Sequence, residues 1–130
     1  GVLARVEEWR EGLEEGKSLH YYPSGKLKKE GYYVNGMYEG EWLVYNEKGI
    51  VIQKGSYING EPEGEWQFCY DKGQLSEVLH FQDGKKEGPT TTYDTKGKII
   101  YTGLYKNDQK YGVWNLYDKK GRLTTKSYTP

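Results

Sequence analysis

The chain has 130 residues, which suits one domain, and it contains 18 glycines and 15% aromatic residues. Basic and acidic side chains number 19 each, so the formal net charge is zero. The basic excess that binding to a phosphate backbone needs is therefore missing, which argues against a nucleic-acid partner.

The balanced total conceals an asymmetry between the two halves of the chain. Residues 1–66 carry 8 basic and 12 acidic side chains, and residues 67–130 carry 11 and 7. In an elongated molecule this makes a dipole that favours head-to-tail self-association, although solvated faces with no role in binding are the simpler explanation.

Cellular location is left open by the sequence. Cys69 is the single cysteine, so an internal disulfide is excluded while the redox compartment is not defined. No apolar run has the length of a membrane span, and no signal peptide is visible. The chain starts at Gly1 rather than Met, which leaves room for an export signal or further repeats before Gly1.

A repeat of 24 residues organises the whole sequence. Each repeat begins with glycine, has glycine again at its tenth position and has an aliphatic residue at its twelfth. The first-position glycines are Gly16, Gly40, Gly64, Gly88 and Gly112. A fixed period of this size is the mark of a repeat architecture. We therefore divide the single domain into a partial repeat (1–15), repeats one to four (16–39, 40–63, 64–87, 88–111) and an atypical closing repeat (112–130).

Each repeat is predicted to be a β-hairpin. Positions 1–7 and 12–18 are short runs rich in aromatic and β-branched residues. A first turn of the type Asn46-Glu47-Lys48-Gly49 separates them, and a second turn such as Asn35-Gly36 or Asn59-Gly60 follows position 18. The sequence thus predicts an elongated, twisted antiparallel meander, an open, solenoid-like single sheet. A four-residue first turn would pair position six with position eleven and place positions three, five, twelve and eighteen on one face.

Three segments are expected to depart from this pattern. Residues Leu3 to Trp9 are predicted to form a strand of a truncated repeat, against the competing pattern of an amphipathic helix. Irregular geometry is expected at Pro89, which has no N–H to donate to the ladder, and at Cys69 and Leu79, which replace the usual tyrosine and glycine. In the closing repeat, Ser127 and Thr129 replace glycine and tyrosine.

The spacing of recurring residue types within a repeat resembles the MORN repeat, and in particular its bacterial variant that carries an antitoxin label. The matches in repeat two are Gly40, Trp42, Tyr45, Gly49, Val51, Gly55, Tyr57, Asn59 and Gly60. The resemblance runs from about Leu3 to Arg122. It implies an elongated sheet of hairpins whose aromatic side contacts other proteins, and it also raises association with membrane lipid. The antitoxin label implies a bound toxin.

No catalytic or metal site is predicted, and no cofactor. His20 and His80 are two periods and more apart, and Cys69 and His80 lie on adjoining strands with opposite facing. Two histidines and one cysteine fall short of a zinc site. One acidic residue per repeat, at Glu15, Glu39, Glu63 and Glu87, is too sparse for calcium and is interpreted as solvated turn charge.

The aromatic rows carry the functional prediction. The rings of Trp42, Trp66 and Trp114 are expected to cover glycines across the strands, and with Tyr33, Tyr57 and Tyr105 they are the predicted protein-binding residues. The leading hypothesis is a non-enzymatic protein-interaction scaffold. An antitoxin or immunity protein is one alternative. A peripheral membrane-associating repeat is the other, which would use Lys96, Lys98, Lys119, Lys120 and Arg122.

Overall fold

The computed structural model describes residues 5–6, 9–10 and 13–129, and the side chains of residues 15–129. This part of the chain contains strands and no helix, which confirms the predicted all-β class. In chain order the strands are β1 (Arg5–Val6), β2 (Trp9–Arg10), β3 (Leu13–Glu14), β4 (Gly16–Tyr21), β5 (Leu27–Val34), β6 (Met37–Tyr45), β7 (Val51–Ile58), β8 (Glu61–Cys69), β9 (Leu75–Gln82), β10 (Lys85–Lys86), β11 (Gly88–Tyr93), β12 (Ile99–Lys106), β13 (Gln109–Tyr117) and β14 (Leu123–Tyr128).

The sheet is an antiparallel meander, as predicted. Strands that follow each other in the sequence lie side by side, from β1 and β4 at one end to β14 at the other, with β10 beside β9. β2 and β3 pair as a separate hairpin. Each strand makes its extensive contacts with its neighbours in the sheet, and the described residues contain no second layer.

The second turn of each repeat is two residues long. Asn35 and Gly36 have φ angles of 52° and 77°, and Val34 pairs with Met37 across them. Positive φ at both central residues defines a type I′ turn, whose twist matches that of the flanking strands. The same positive values recur at Asn59-Gly60, Asp83-Gly84 and Asn107-Asp108.

The acidic residue that ends each repeat stabilises the next of these turns. A carboxylate oxygen of Glu15 accepts a hydrogen bond from the backbone N–H of Asn35 at 2.9 Å. The equivalent bonds, each to the residue 20 positions later, join Glu39 to Asn59, Glu63 to Asp83 and Glu87 to Asn107. These side chains are thus turn caps as well as solvated charges.

The first turn of each repeat is longer than expected, and the predicted pairing of position six with position eleven was wrong. Tyr45 pairs with Val51 rather than with the eleventh residue of the repeat, and the register shifts between Val44 and Tyr45. Asn46 causes the difference, because its side-chain oxygen accepts hydrogen bonds from the backbone N–H groups of Lys48 and Ile50 and fixes a five-residue turn. Val51 therefore pairs with Tyr45 and not, as the predicted register required, with Val44.

A β-bulge explains why each repeat begins with glycine. Between β7 and β8 the register shifts from the pair Lys54 and Gln67 to the pair Ser56 and Glu63, so β8 holds two more residues than β7 between these pairs. Gly64, with φ of 76°, lies in the extra stretch. This left-handed conformation strains any residue with a β-carbon, and bulges increase the local twist of a sheet.

Both ends of the sheet follow from the repeat. Arg5 pairs with His20 and Val6 with Leu19, the register that Lys29 and Glu30 show one repeat later. The predicted strand of a truncated repeat is confirmed at Arg5, Val6 and Trp9. Leu3, Ala4, Glu7 and Glu8 lie outside the described residues.

The closing repeat differs from the others by a slip of one residue. Gly112 pairs with Tyr128, the seventeenth residue of its repeat, whereas Gly40 pairs with the eighteenth, Tyr57. The cause is a ladder between β13 and β14 that runs without a register shift. Tyr128 thereby takes the ring position that Thr129 cannot fill, and its ring centroid lies 6.0 Å from that of Trp114.

The irregularity expected near Pro89 is confined to one residue. The strand that follows Asp83-Gly84 is interrupted at Glu87, between β10 and β11, while the pairs on either side keep the register of the other repeats. The backbone N–H of Glu87 still donates to the carbonyl of His80 at 2.9 Å. Leu79 causes no break in β9 and is buried.

Candidate protein-interaction surface

A row of buried tryptophans forms the floor of one face of the sheet. Trp42, Trp66 and Trp114 are only 4%, 4% and 3% exposed. Each indole lies flat on a glycine, so that a β-carbon added to Gly31, Gly55 or Gly103 would come within 2.0 to 2.1 Å of the ring. Each indole N–H donates to the carbonyl of the residue ten positions earlier, at 3.0 to 3.2 Å. We call this side of the sheet the Trp face.

Tyrosine rings stand edge-on against the tryptophans. Tyr33, Tyr57 and Tyr105 lie 5.1, 5.0 and 5.2 Å from Trp42, Trp66 and Trp114, with interplanar angles of 76°, 89° and 85°. Edge-to-face contacts are a favoured arrangement of aromatic rings. The tyrosines are therefore held in fixed orientations.

Tyr38 connects two of these units. Its ring stacks on Tyr33 at 5.2 Å and on Tyr57 at 4.9 Å, and it meets Trp42 edge-on at 4.7 Å. Tyr33 is buried at 8% exposure, whereas Tyr38 and Tyr57 are half-buried. This Tyr ladder (Tyr33, Tyr38 and Tyr57) presents two ring surfaces to solvent above a rigid base.

On the Trp face, lysines replace an aromatic ring at one repeat position toward the C-terminal end of the chain. The position that Tyr38 occupies in repeat one holds Lys86 in repeat three and Lys110 in repeat four. The ammonium of Lys86 lies 4.9 Å from the ring centroid of Tyr105, and that of Lys110 lies 4.9 Å from Trp114 and 5.3 Å from Tyr128. Cation–π contacts thus replace ring stacking toward the C-terminal end.

The aromatic row has a gap in the middle. Thr90 stands at the tryptophan position of repeat four and is 2% exposed, and its hydroxyl donates to the carbonyl of Val78 at 2.9 Å. Leu79, at 5% exposure, replaces the glycine that would lie under a tryptophan. The row therefore has an N-terminal part ending at Phe81 and a C-terminal part around Trp114.

Four of the six predicted binding residues, the three tryptophans and Tyr33, are buried, and Tyr57 and Tyr105 are half-buried. Binding by these six residues stays a prediction. Tyr38 and Lys110 were missed because their repeat position holds Tyr, Pro, Lys and Lys in successive repeats. Their place two residues after the two-residue turn, next to the bulge, was the available signal.

The hydroxyls of Tyr57 and Tyr105 on the Trp face have raised pKa values and so hold their protons at ordinary pH. Burial raises the pKa of Tyr57, with a smaller contribution from Tyr38, and burial is also the main cause of a raised pKa at Tyr105. They offer hydrogen bonds rather than charge.

The groups with catalytic chemistry are dispersed. His80 donates through Nδ1 to the carbonyl of Pro89 at 2.8 Å, and His20 Nε2 lies 3.0 Å from Ser18 Oγ. Burial raises the pKa of the Cys69 thiol, opposite to the activation of a nucleophile. In the part of the chain that the structure describes, no group of three or more His, Cys, Asp or Glu side chains is placed to hold a metal ion. No helix there has the length and apolar character to cross a membrane.

The family model described as "MORN repeat variant" matches residues 14–35, 38–59 and 86–107, three segments of 22 residues that together make 66 of the 130. The chain belongs to the MORN-repeat variant family. MORN repeats are generally protein- or membrane-interaction repeats in a non-catalytic scaffold. The segment between the second and third matches contains Cys69 and Leu79, two of the departures from the repeat pattern.

Among curated proteins, none matches this MORN-repeat chain. One similar solved structure is described as "Crystal structure of accessory secretory protein 1,2 and 3 in Streptococcus pneumoniae". The identity is 16% and the TM-score 0.43, and the match covers 84% of this chain and 19% of the other. The chain thus spans about a fifth of the length of that protein.

Proposed function

We propose that this chain is a non-enzymatic scaffold that binds another protein through the Trp face. The observation that carries the proposal is the Tyr ladder, in which the half-exposed rings of Tyr38 and Tyr57 are fixed by stacking and by the tryptophans beneath them. Rigid aromatic rings supply contact area while losing little conformational entropy when a partner covers them.

The change from aromatic rings to lysines along the Trp face indicates which side chains a partner would present. Around β5 to β8 the surface consists mainly of aromatic rings, with the ammonium of Lys29 at 5.7 Å from Tyr38 and Trp42. From β10 to β14 it carries Lys86, Lys110 and Lys126. A partner that spans the repeats is expected to present apolar or aromatic side chains to the first region and carboxylates to the second.

An antitoxin or immunity protein would be the same function with a toxin as the partner. Identification of the captured protein tests that alternative directly. The membrane-associating alternative draws on the basic C-terminal end of the sheet, and binding to anionic vesicles tests it.

The test compares two double variants as affinity baits in lysate of the source cells. Tyr38→Lys with Phe68→Thr alters the Trp face, and each new residue already occupies the same repeat position elsewhere in the chain, at Lys110 and Thr92. The fold should therefore persist. We expect capture of the specific partner, identified by mass spectrometry, to fall at least about tenfold, the loss expected when an anchor ring is removed.

The matched control alters the opposite face of the sheet, on β6 and on β9 beside β8. Leu43→Gln with Val78→Thr also introduces residues found at the equivalent positions, in Gln67 and Thr102. Circular dichroism establishes that both variants are folded. Equal capture by wild type and both variants would contradict binding through the Trp face, and loss in the control alone would assign binding to the other side.

A further inference from the structure

The C-terminal end of the sheet exposes apolar side chains. Ile99, Ile100 and Leu123 are 43%, 37% and 55% exposed. Ile99, Ile100 and Tyr117 line an open groove of about 890 Å³, and Leu123 pairs with Tyr117 on the adjoining strand. We call these four residues the C-terminal patch.

The same repeat positions are covered in the interior of the sheet. Val51 and Ile52, the equivalents of Ile99 and Ile100, are half-buried. The first turn of the following repeat lies beside them, since a β-carbon on Gly73 would be only 3.1 Å from the side chain of Ile50. Exposure of the C-terminal patch is therefore a property of the end of the sheet and not of the repeat.

An unpaired strand edge adjoins the patch. β14 pairs with β13, and within the described residues no strand pairs with its other side. Its residues from Leu123 to Ser127 are all exposed. Such an edge offers free backbone N–H and C=O groups to an incoming chain.

The three lysines that line the groove, Lys98, Lys119 and Lys120, outnumber its two carboxylates, Asp94 and Asp118. Among the described residues, no ion pair joins Lys98, Lys119 or Lys120 to a carboxylate. The nearby carboxylates are occupied: Asp94 accepts from two backbone N–H groups, and Asp118 does the same and also binds Arg122 at 2.6 Å. The surface therefore suits an acidic occupant with apolar side chains.

The chain itself contains such a segment. Residues 1–15 carry five glutamates and two arginines together with Val2, Leu3, Val6, Trp9 and Leu13, whereas residues 116–130 carry four basic side chains and one acidic. We propose that the C-terminal patch and the edge of β14 bind the acidic N-terminal end of a second copy. Because the two contact surfaces differ, the contact is heterologous and gives open, head-to-tail chains.

The test is sedimentation velocity of the purified full chain over a range of protein concentrations, at about 20 mM and at about 500 mM salt. At low salt the mass is expected to rise beyond that of a dimer with concentration, and at high salt the equilibrium should shift toward monomer because exposed charges are screened. Lys119→Glu with Lys120→Glu is expected to raise the dissociation constant about tenfold.

Two further samples separate end-specific contact from a general charge effect. Lys48→Glu with Lys72→Glu makes the same change of net charge in the turns of inner repeats and should assemble like wild type. Glu11→Lys with Glu14→Lys should restore assembly when mixed with the Lys119→Glu and Lys120→Glu variant. A wild type that stays monomeric at low salt overturns the proposal, as does equal weakening by both lysine variants.

A third arm examines the other class of occupant. Vesicles of phosphatidylcholine with about 30% phosphatidylserine, an anionic lipid that attracts basic segments, are mixed with the wild-type chain under the same low-salt conditions. A monomeric chain that binds these vesicles through Lys119 and Lys120 would overturn the proposal in favour of an anionic membrane surface. Assembly in solution without vesicle binding would support it.

Discussion

Gly55 and Trp66 fit each other so closely that neither can change alone. The ring of Trp66 occupies the space of a β-carbon on Gly55, at 2.0 Å. Where the chain lacks tryptophan, at Thr90, it carries Leu79 in place of the glycine. The chain thus fills this cross-strand position in two ways. One pair combines tryptophan with glycine, and the other combines threonine with leucine.

This comparison predicts a strong coupling between positions 55 and 66. Gly55→Leu alone should destabilise the fold by about 3 kcal/mol through overpacking, and Trp66→Thr alone by about 3 to 5 kcal/mol through the cavity it leaves. The double variant, which copies Leu79 and Thr90, should recover at least about 2 kcal/mol of the summed loss. Urea denaturation of the four proteins measures the coupling, and strictly additive losses would contradict it.

Tyr45 is predicted to make stability fall at alkaline pH. Burial raises its pKa to about 12, helped by the hydrogen bond from its hydroxyl to Glu30 at 2.7 Å and by the charges of Glu30 and Glu41. The unfolded chain loses this proton near pH 10.0. The stabilisation is therefore complete below pH 10 and is lost as pH rises through about 12.

The Tyr45→Phe variant isolates this effect from that of the other tyrosines and lysines. Between about pH 9 and pH 12, wild type should lose on the order of 1 kcal/mol more stability than the variant, a value reduced for solvent screening. Parallel denaturation curves at each pH measure the difference. Identical pH dependence of the two proteins would show that Tyr45 is not the group responsible.

At the scale of the hairpin, a single side chain organises the turn within a repeat. Asp94 and Asp118 each accept hydrogen bonds from two backbone N–H groups, as Asn46 does in repeat two. These bonds lower the pKa of both aspartates, and at Asp118 the side chain of Arg122 adds to the effect. Stability from the carboxylates is hence present above their unfolded pKa, near 3.8, and is lost as pH falls from there through their lowered folded-state pKa.

Replacement of both aspartates by asparagine should keep the turns and remove their acid sensitivity. Wild type should be the more stable protein at neutral pH, since charge-assisted hydrogen bonds are stronger than neutral ones. The difference should begin to shrink near pH 4 and disappear once pH has fallen through the lowered pKa of the folded-state carboxylates. Asp71→Asn, in a turn where the described side chain makes no such bonds, is the control. A gap that persists at low pH would contradict the assignment.

The hairpin is also the scale at which prediction from sequence succeeded and failed. The 24-residue period and turn residues such as Asn35-Gly36 predict the meander, because turn chemistry is local. The bulges at Gly64 and at the Val44/Tyr45 shift were not predicted, since the need for positive φ at a glycine does not by itself reveal which strand holds the extra residues. Because these register shifts were not predicted, Val51 was assigned to the wrong cross-strand pair, and the position of Tyr38 on the Trp face was missed.

At the scale of the molecule, burial without a second layer depends on contacts between successive repeats. Trp66 is covered by Tyr57 from the preceding repeat and by Phe81 from its own. Such near-neighbour coupling lets stability approximate a sum of repeat and interface contributions. The sequence indicated the repeats, but it could not show that the indoles are too deeply buried to supply most of a binding surface.

Near-neighbour coupling predicts that damage at one end stays local. Trp114→Ala removes the ring that packs with Tyr105 and Tyr128, so amides of β12 to β14 should exchange with solvent at least about tenfold faster. Amides of β5 to β8, several strands away, should keep their wild-type rates. Trp66→Ala should instead accelerate exchange on both sides of β8, because β8 lies inside the sheet and the ring of Trp66 packs against Tyr57 on β7 and Phe81 on β9. Native-state hydrogen exchange followed by NMR distinguishes the two patterns. Uniform acceleration by Trp114→Ala would mean that the sheet opens as one cooperative unit, and the Trp face would then be a single rigid platform rather than a series of separately adjustable repeats.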